Sequence, residues 1–215
     1  MADMLTAARS AAFPVALTGA GISAPSGLPT FQADWKGRPI RDFLSREYFA
    51  SDPYGFFELY CAMEAWGRAE PNAAHQALAR LKLPVITQNI DGLHQKAGSS
   101  RVVELHGNLR NLLCPACGAT MPAGPVCQAL RPLYAAGDKS GVLRLLRCAC
   151  GGALNVDVVL YGDAVRGLPE ASSWLNRCDL LLVIGTSLQT YPAALLPDIA
   201  RRNGARVLIE DRDCI

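Results

Sequence analysis

Four cysteines come in two close pairs, Cys114-Pro-Ala-Cys117 and Cys148-Ala-Cys150, with residues 118–147 between them. Two such knuckles can close on one tetrahedral zinc ion, and four thiolates leave no open coordination position. Cys114, Cys117, Cys148 and Cys150 therefore read as ligands of a structural Zn2+ that supplies folding free energy to a small module. The second pair has one intervening residue where two are commoner, and a redox pair or unrelated thiols are the alternatives. Cys127 lies in the same segment as a substitute ligand, whereas Cys61, Cys178 and Cys214 stand alone and read as buried small hydrophobes.

Histidine occurs at positions 75, 94 and 106. His75, within "NAAHQALARL", and His94, within "DGLHQKAG", read as hydrogen-bonded structural side chains. His106 follows the run "RVVEL" and precedes Gly107, at the kind of strand end that opens onto a ligand crevice in α/β sheets. An imidazole there, with an ordinary pKa of about 6.5, can act as a general base near neutrality. Asn89 and Asp91, just beyond "LPVIT", add an amide and a carboxylate, although both residue types also form turns.

A third group is Gly19-Ala20-Gly21-Ile22-Ser23-Ala24, which comes after the apolar Val15-Ala16-Leu17. In a dinucleotide loop the first glycine permits a tight turn, the second lets the backbone approach a pyrophosphate, and a small residue at Ala24 permits close helix packing. The amides opening that helix would face the phosphates. A plain glycine-rich turn fits the same residues.

These groups sit in a chain of 215 residues that is 50% hydrophobic, enough for one large domain with a small inserted one. Its 21 basic and 19 acidic side chains leave a formal charge of +2, too small a surplus to argue for nucleic acid or a membrane surface as a partner. No run reaches the roughly eighteen apolar residues of a spanning helix, and the first residues lack a basic cluster followed by a long apolar core. A cytoplasmic protein is expected, in which eight cysteines point to metal or free thiols rather than structural disulfides.

The elements that must position this chemistry alternate between strand and helix. Val15 to Thr18 reads as a strand feeding the glycine loop and a helix, and Asp52 to Trp66 carries Phe56, Phe57, Leu59, Tyr60 and Met63 at helical spacing, as core. Asn72 reads as the N-cap of a helix running through Arg80. "LPVIT", "RVVEL", "VDVVLYG" and "LLLVIGTS" read as buried strands, with a last strand at Ala205 to Ile209. The pattern predicts an α/β fold with a Rossmann-like open parallel sheet, covered on both faces, and a small inserted zinc-binding module at 111–153. The sheet domain is expected at 1–110 and 154–215, with a helical insertion around 33–70.

Taken in order, "GAGISAPSGLPTF", "PNAAHQAL", "TQNIDGLHQKAG", "ELHGN", the cysteine pairs, "VVLYGD" and "GTSLQTYPA" resemble the sirtuin family over most of the chain. That resemblance implies an enzyme that consumes NAD and removes acyl groups from lysine side chains of proteins or peptides. Its acyl oxygen attacks the anomeric carbon of the nicotinamide ribose, nicotinamide leaves, and the acyl group ends on ADP-ribose. Carried over, Gly19, Ala20, Gly21 and Ser23 would hold the pyrophosphate and nearby ribose, and Gly185, Thr186 and Ser187 the adenosine side. Gln88, Asn89 and Asp91 would form the nicotinamide pocket with Ile90 as its apolar wall. His106 would be the base, with Asn89 and Asp91 as its catalytic companions, and Val158, Val159, Leu160 and Tyr161 would pair with the substrate peptide as an added strand.

The chain departs from the family pattern in three places. Phe31-Gln32 stands where the family loop reads Phe-Arg, so a cation near the ribose and phosphates becomes a neutral amide. A charge-assisted bond of about 1.5–3 kcal/mol is thereby exchanged for about 1 kcal/mol, which predicts weaker NAD binding. Glu210 and Asp211 stand where the family has an asparagine near the adenosine ribose, and the sequence stops at Ile215 before the elements that close over adenine. Glu210 can accept from ribose hydroxyls as the acidic residue of dinucleotide folds does. Thirdly, the tyrosine and arginine of relatives that remove acidic acyl groups align with Phe57 and Tyr60, which predicts little preference for succinyl-lysine. Two other activities stay open on the sequence: NAD cleavage without deacylation, as an ADP-ribosyltransferase or glycohydrolase, and a non-catalytic NAD- or peptide-binding module.

Overall fold

The computed structural model describes residues 2–210; Asp211, Cys214 and Ile215 lie outside them. In chain order the strands are β1 (Pro14–Thr18), β2 (Asp34–Trp35), β3 (Arg38–Pro39), β4 (Val85–Thr87), β5 (Val102–Glu104), β6 (Gly107–Leu113), β7 (Thr120–Pro122), β8 (Asn155–Val158), β9 (Leu180–Ile184) and β10 (Arg206–Glu210). The helices are α1 (Ala2–Ser10), α2 (Arg46–Ser51), α3 (Pro53–Glu64), α4 (Ala73–Arg80), α5 (Leu93–Lys96), α6 (Ala123–Ala135), α7 (Lys139–Leu145), α8 (Leu168–Leu175) and α9 (Leu196–Arg202). The described residues form two compact units, one from 2–30, 69–106 and 165–210, the other from 31–68 and 107–164.

The first unit is the expected open parallel sheet, in the order β10-β9-β1-β4-β5 with every neighbouring pair parallel. Its central strands β9, β1 and β4 are buried on both faces because helices cover both. Along β9, Leu181 and Val183 turn toward Trp174 and Leu175 of α8 and Leu196 and Ala200 of α9. The alternate residues Leu180, Leu182 and Ile184 turn toward Met4 and Ala8 of α1 and Ala74 and Leu78 of α4. No described helix is long and apolar enough to cross a membrane.

The second unit holds a three-stranded antiparallel sheet, β7-β6-β8, with α2, α3, α6 and α7. The helical insertion expected around 33–70 lies, as far as residue 68, in one compact unit with the cysteine-bearing segment. The reason is α3, whose Phe56, Phe57, Leu59, Tyr60 and Met63 are all buried as expected. Tyr60 donates to the carbonyls of Leu109 and Asn111 on β6, and Tyr134 of α6 donates to Tyr54 O.

Cys61 of α3 is disulfide-bonded to Cys127 of α6 across a sequence separation of 66. This corrects two readings: a disulfide is present, and Cys127 is no substitute metal ligand, because the packing of α3 on α6 brings its sulfur to Cys61 instead. Cys178 does behave as a buried small residue, its thiol donating to Leu175 O. In the chain-entropy model a cross-link over that loop length is worth about 4 kcal/mol. Cys127→Ala or a reductant is therefore expected to lower the unfolding free energy by about that amount in urea titration, with the wild-type bond visible by thiol alkylation and mass spectrometry.

Candidate functional site

In the second unit, the turns at Cys114–Cys117 and Cys148–Cys150 are closed by Gly118 N donating to Cys114 O and Gly151 N to Cys148 O, both at 2.8 Å. The shorter second knuckle thus turns as tightly as the first. The four sulfurs lie within 4.8 Å of one another, with Cys114–Cys150 at 3.5 Å and Cys117–Cys148 at 3.7 Å. Tetrahedral zinc with Zn–S of about 2.3 Å sets its sulfurs about 3.8 Å apart, so the quartet fits a closed structural Zn2+ site. Metal analysis is expected to find one zinc per chain, and Cys148→Ser to release it and destabilise the protein by on the order of several kcal/mol.

The first unit brings the remaining chemistry to the C-terminal ends of adjacent parallel strands. Thr18 of β1 and Ile184 of β9 are in register, so the loops leaving those strands start side by side. Gly21 N donates to Gly185 O at 2.8 Å, and a Cβ on Gly21 would stand 2.7 Å from Gly185 Cα. Gly185 itself has φ +63°, and a Cβ there would stand 2.2 Å from Ile22 N. The protein's own backbone thus already requires the second glycine of the loop, a demand the sequence did not show. Two related expectations change: Ala24 is exposed, and the chain leaves β1 through a seven-residue 3-10 turn, Ala20–Ser26, instead of an α-helix. Pro25 in its interior removes an amide and limits the run.

Ser23 stands at the centre of a buried polar web. Its hydroxyl donates to Asp91 Oδ2 at 2.7 Å and accepts from Asn89 Nδ2 at 3.1 Å, and Asp91 Oδ1 accepts from Leu93 N at 2.9 Å. Burial pushes the Asp91 carboxyl up, while the bonds from Leu93 N, Ser23 and Asn89 hold it down. Asn89 Oδ1 is buried with no protein donor in reach among the described residues, an acceptor suited to a ligand N–H or O–H. Ile90 is buried between these two polar residues.

The buried histidines complete the web. His75 Nε2 lies 3.4 Å from Ser23 Oγ; since that hydroxyl gives its one proton to Asp91, the ring must present Nε2–H. Thr18 Oγ1 donates to Thr87 Oγ1 and so takes Nε2–H of His94, both at 2.9 Å. Burial drives His75 down to about 4, and burial with the His75 charge drives His94 down to about 3, so both are neutral near pH 7. The structural role expected of both is borne out by these partners. Thr18 lies in no motif that marks it, and Thr87 opens "TQNIDGLHQKAG" without a role assigned to it.

His106 lies two residues beyond β5, and its Nδ1 is 3.0 Å from Gln88 O. A carbonyl only accepts, so Nδ1 carries the proton and Nε2 keeps its lone pair. Burial lowers the imidazole pKa from 6.5, and the Gln88 bond partly offsets this, so the ring is a neutral base near pH 7. Gln88 also donates through Nε2 to Thr186 Oγ1 at 2.8 Å, joining the β4 and β9 ends. Next to Thr186, Ser187 is exposed, while Glu210, in register with Ile184, is buried at the end of β10.

Phe31, Gln32 and Val158 to Tyr161 belong to the second unit. Gln32 is exposed in a turn, and Phe31 O accepts from Arg41 N. The strand expected through "VDVVLYG" stops at Val158. The chain turns there because Leu160 N is taken by Asp163 Oδ2 and Asp163 N returns to Leu160 O. Tyr161, exposed, already pairs through N–H and C=O with Leu44 and Arg46.

A parallel sheet whose adjacent strand ends gather two glycine loops, an Asn/Asp pair and a neutral histidine base, with a four-cysteine insert, defines a nucleotide-handling α/β protein of one particular build. The Sir2 family model matches residues 19–192, and the chain belongs to that family. An NAD-dependent protein deacetylase of Sulfolobus acidocaldarius is 43% identical over 204 residues, covering 91% of this chain and 77% of that one. An NAD-dependent protein deacylase of Thermococcus kodakarensis is 40% identical over 222 residues, covering 96% and 81%. A solved complex, "Sir2-p53 peptide-NAD+", superposes with a TM-score of 0.83 at 35% identity, over 97% of this chain and 85% of that one.

Proposed function

We propose that the chain uses the residues gathered at these strand ends as an NAD-dependent protein-lysine deacylase, transferring the acyl group to ADP-ribose and releasing nicotinamide. The observation that carries the assignment is His106, kept neutral by burial, with its tautomer set by the Gln88 carbonyl so that Nε2 keeps the lone pair. NAD supplies an activated ribosyl carbon. The protein's part is to orient it and to move one proton. In this reading His106 Nε2 takes a proton from a ribose hydroxyl. Asn89, through its orphan Oδ1, and Asp91 hold the nicotinamide side, with Gln88 and Ile90 beside them. Gly19, Ala20, Gly21 and Ser23 hold the phosphates and near ribose, Gly185, Thr186 and Ser187 the adenosine side, and Glu210 the adenosine ribose. Phe31 and Gln32 are carried over from the family loop as cofactor contacts, and Gln32 brings no cation.

Acyl-lysine peptides are the substrates of this reading, pairing along Val158 to Tyr161. With Leu160 and Tyr161 already bonded within their unit, Val159 is the residue expected to make the main-chain pair. A cytoplasmic setting suits four closely placed thiols kept reduced for a metal, and the Cys61–Cys127 disulfide argues against it.

With NAD and an acetyl-lysine peptide, nicotinamide and deacetylated peptide are expected in equal amounts, and His106→Ala should lower kcat/KM by about 10²–10⁴-fold. The base works neutral, so a depressed pKa moves the acid limb of kcat/KM below 6.5 and leaves activity flat above it. Nicotinamide release that ignores the peptide would point instead to a glycohydrolase or ADP-ribosyltransferase, the reading that the neutral Gln32 favours.

Phe57 and Tyr60 are each at most 1% exposed, with the Tyr60 hydroxyl bound to β6 carbonyls, so neither offers a cation to an acidic acyl chain. Desuccinylation on the same peptide is expected to run at least about tenfold below deacetylation, the discrimination that one missing charged partner supplies.

A further inference from the structure

The 3-10 turn Ala20–Ser26 contains a defect that another element repairs. In such a turn the carbonyl of residue i accepts from the N–H of residue i+3, which pairs Ile22 O with position 25. Pro25 has no N–H. Ile22 is fully buried, where a carbonyl left without a donor is costly. The donor comes from Asn72: its Nδ2 reaches Ile22 O at 2.7 Å and Ser26 Oγ at 3.0 Å. Asn72 Oδ1 meanwhile accepts from Ala74 N at 2.9 Å as the N-cap of α4. The amide orientation is fixed, because Ile22 O can only accept and Ala74 N can only donate. Three residues further along, His75 touches Ser23 Oγ, so α4 holds the turn on both sides of its middle.

We propose that Asn72 is a positioning residue for the NAD site: a latch that replaces the N–H missing at Pro25 and thereby fixes where Ser23 meets Asp91 and Asn89. The inference rests on reading the Gly19–Ser23 loop and Asp91 as parts of that site. Asn72 does not itself touch the reacting atoms. Its effect runs through the turn, whose residue 23 lies one position beyond the latched carbonyl.

Asn72→Asp separates the latch from the helix cap, since a carboxylate still accepts from Ala74 N but cannot donate to Ile22 O. In that variant the KM for NAD is expected to rise about tenfold, with the KM for acetyl-lysine peptide within about twofold. Amide exchange across residues 20–26 should quicken while the melting temperature stays near wild type. Pro25→Ala returns an N–H to the turn, so in that background the same substitution should raise the NAD KM no more than about threefold, a non-additivity read from the four-variant cycle. Asn72→Ser, which keeps a capping hydroxyl, repeats the cycle should Asn72→Asp fold poorly.

Unchanged exchange in Asn72→Asp, or equal effects in both backgrounds, overturns the latch. Quicker exchange with an unchanged NAD KM overturns its link to the cofactor. A wild-type protein that fails to turn over NAD with acetylated peptide sinks the deacylase reading itself, and the exchange cycle still decides the latch.

Discussion

The backbone of Gly21 and that of Gly185 meet with no side chain between them, and the arrangement of the parallel-sheet unit depends on that contact. Parallel pairing of β1 with β9 launches two loops from neighbouring strand ends into the same space. Only residues without a Cβ let them cross there, and the bond from Gly21 N to Gly185 O then locks the crossing. Ile22 is carried into the core on one side, Thr186 is set facing Gln88 on the other, and Ser23 is delivered to Asp91. The glycines of this fingerprint act first on the protein, and any ligand meets a surface already shaped by their mutual approach.

Behind that crossing lies a group of polar side chains that would be expensive to bury singly. They are tolerated because each hydroxyl links two others: Ser23 joins Asn89 to Asp91, and Thr18 joins His94 to Thr87. Two imidazoles kept neutral by burial serve there as fixed N–H donors rather than as acids. The result is a polar floor with unpartnered acceptors at Asn89 Oδ1 and at Nδ1 of His75 and His94, and one partly desolvated carboxylate. Such a floor is preorganised, so little rearrangement is needed when a polar ligand replaces water above it.

Much of this was legible in the sequence where the cause is local. Alternating apolar residues such as Leu180 to Ile184 mark a strand covered on both faces, Asn72 before an amphipathic run marks a helix start, and two cysteine knuckles mark a metal site. The hidden features depend on partners far away along the chain. Nothing near Cys61 announces Cys127, since only the packing of α3 on α6 brings them together. That the backbone of Gly185 also demands Gly21 shows only once β9 is known to lie next to β1, and Pro25 shows only afterwards why the expected helix is a short 3-10 turn. The length of "VDVVLYG" suggested a longer strand than forms, because Asp163 bonds back to Leu160 and turns the chain.

Gln88 holds three strand ends at once: its N–H donates to Thr18 O, its side chain donates to Thr186, and its carbonyl accepts from His106 Nδ1–H. The last of these is a main-chain contact, so the choice of which imidazole nitrogen is basic is made by the path of the backbone after β4 and not by the identity of any side chain. Replacing residue 88 can loosen the tie to β9 while the tautomer of the base stays the same. Orientation and proton chemistry, which in many sites fall to one second side chain, are here separable within a single residue.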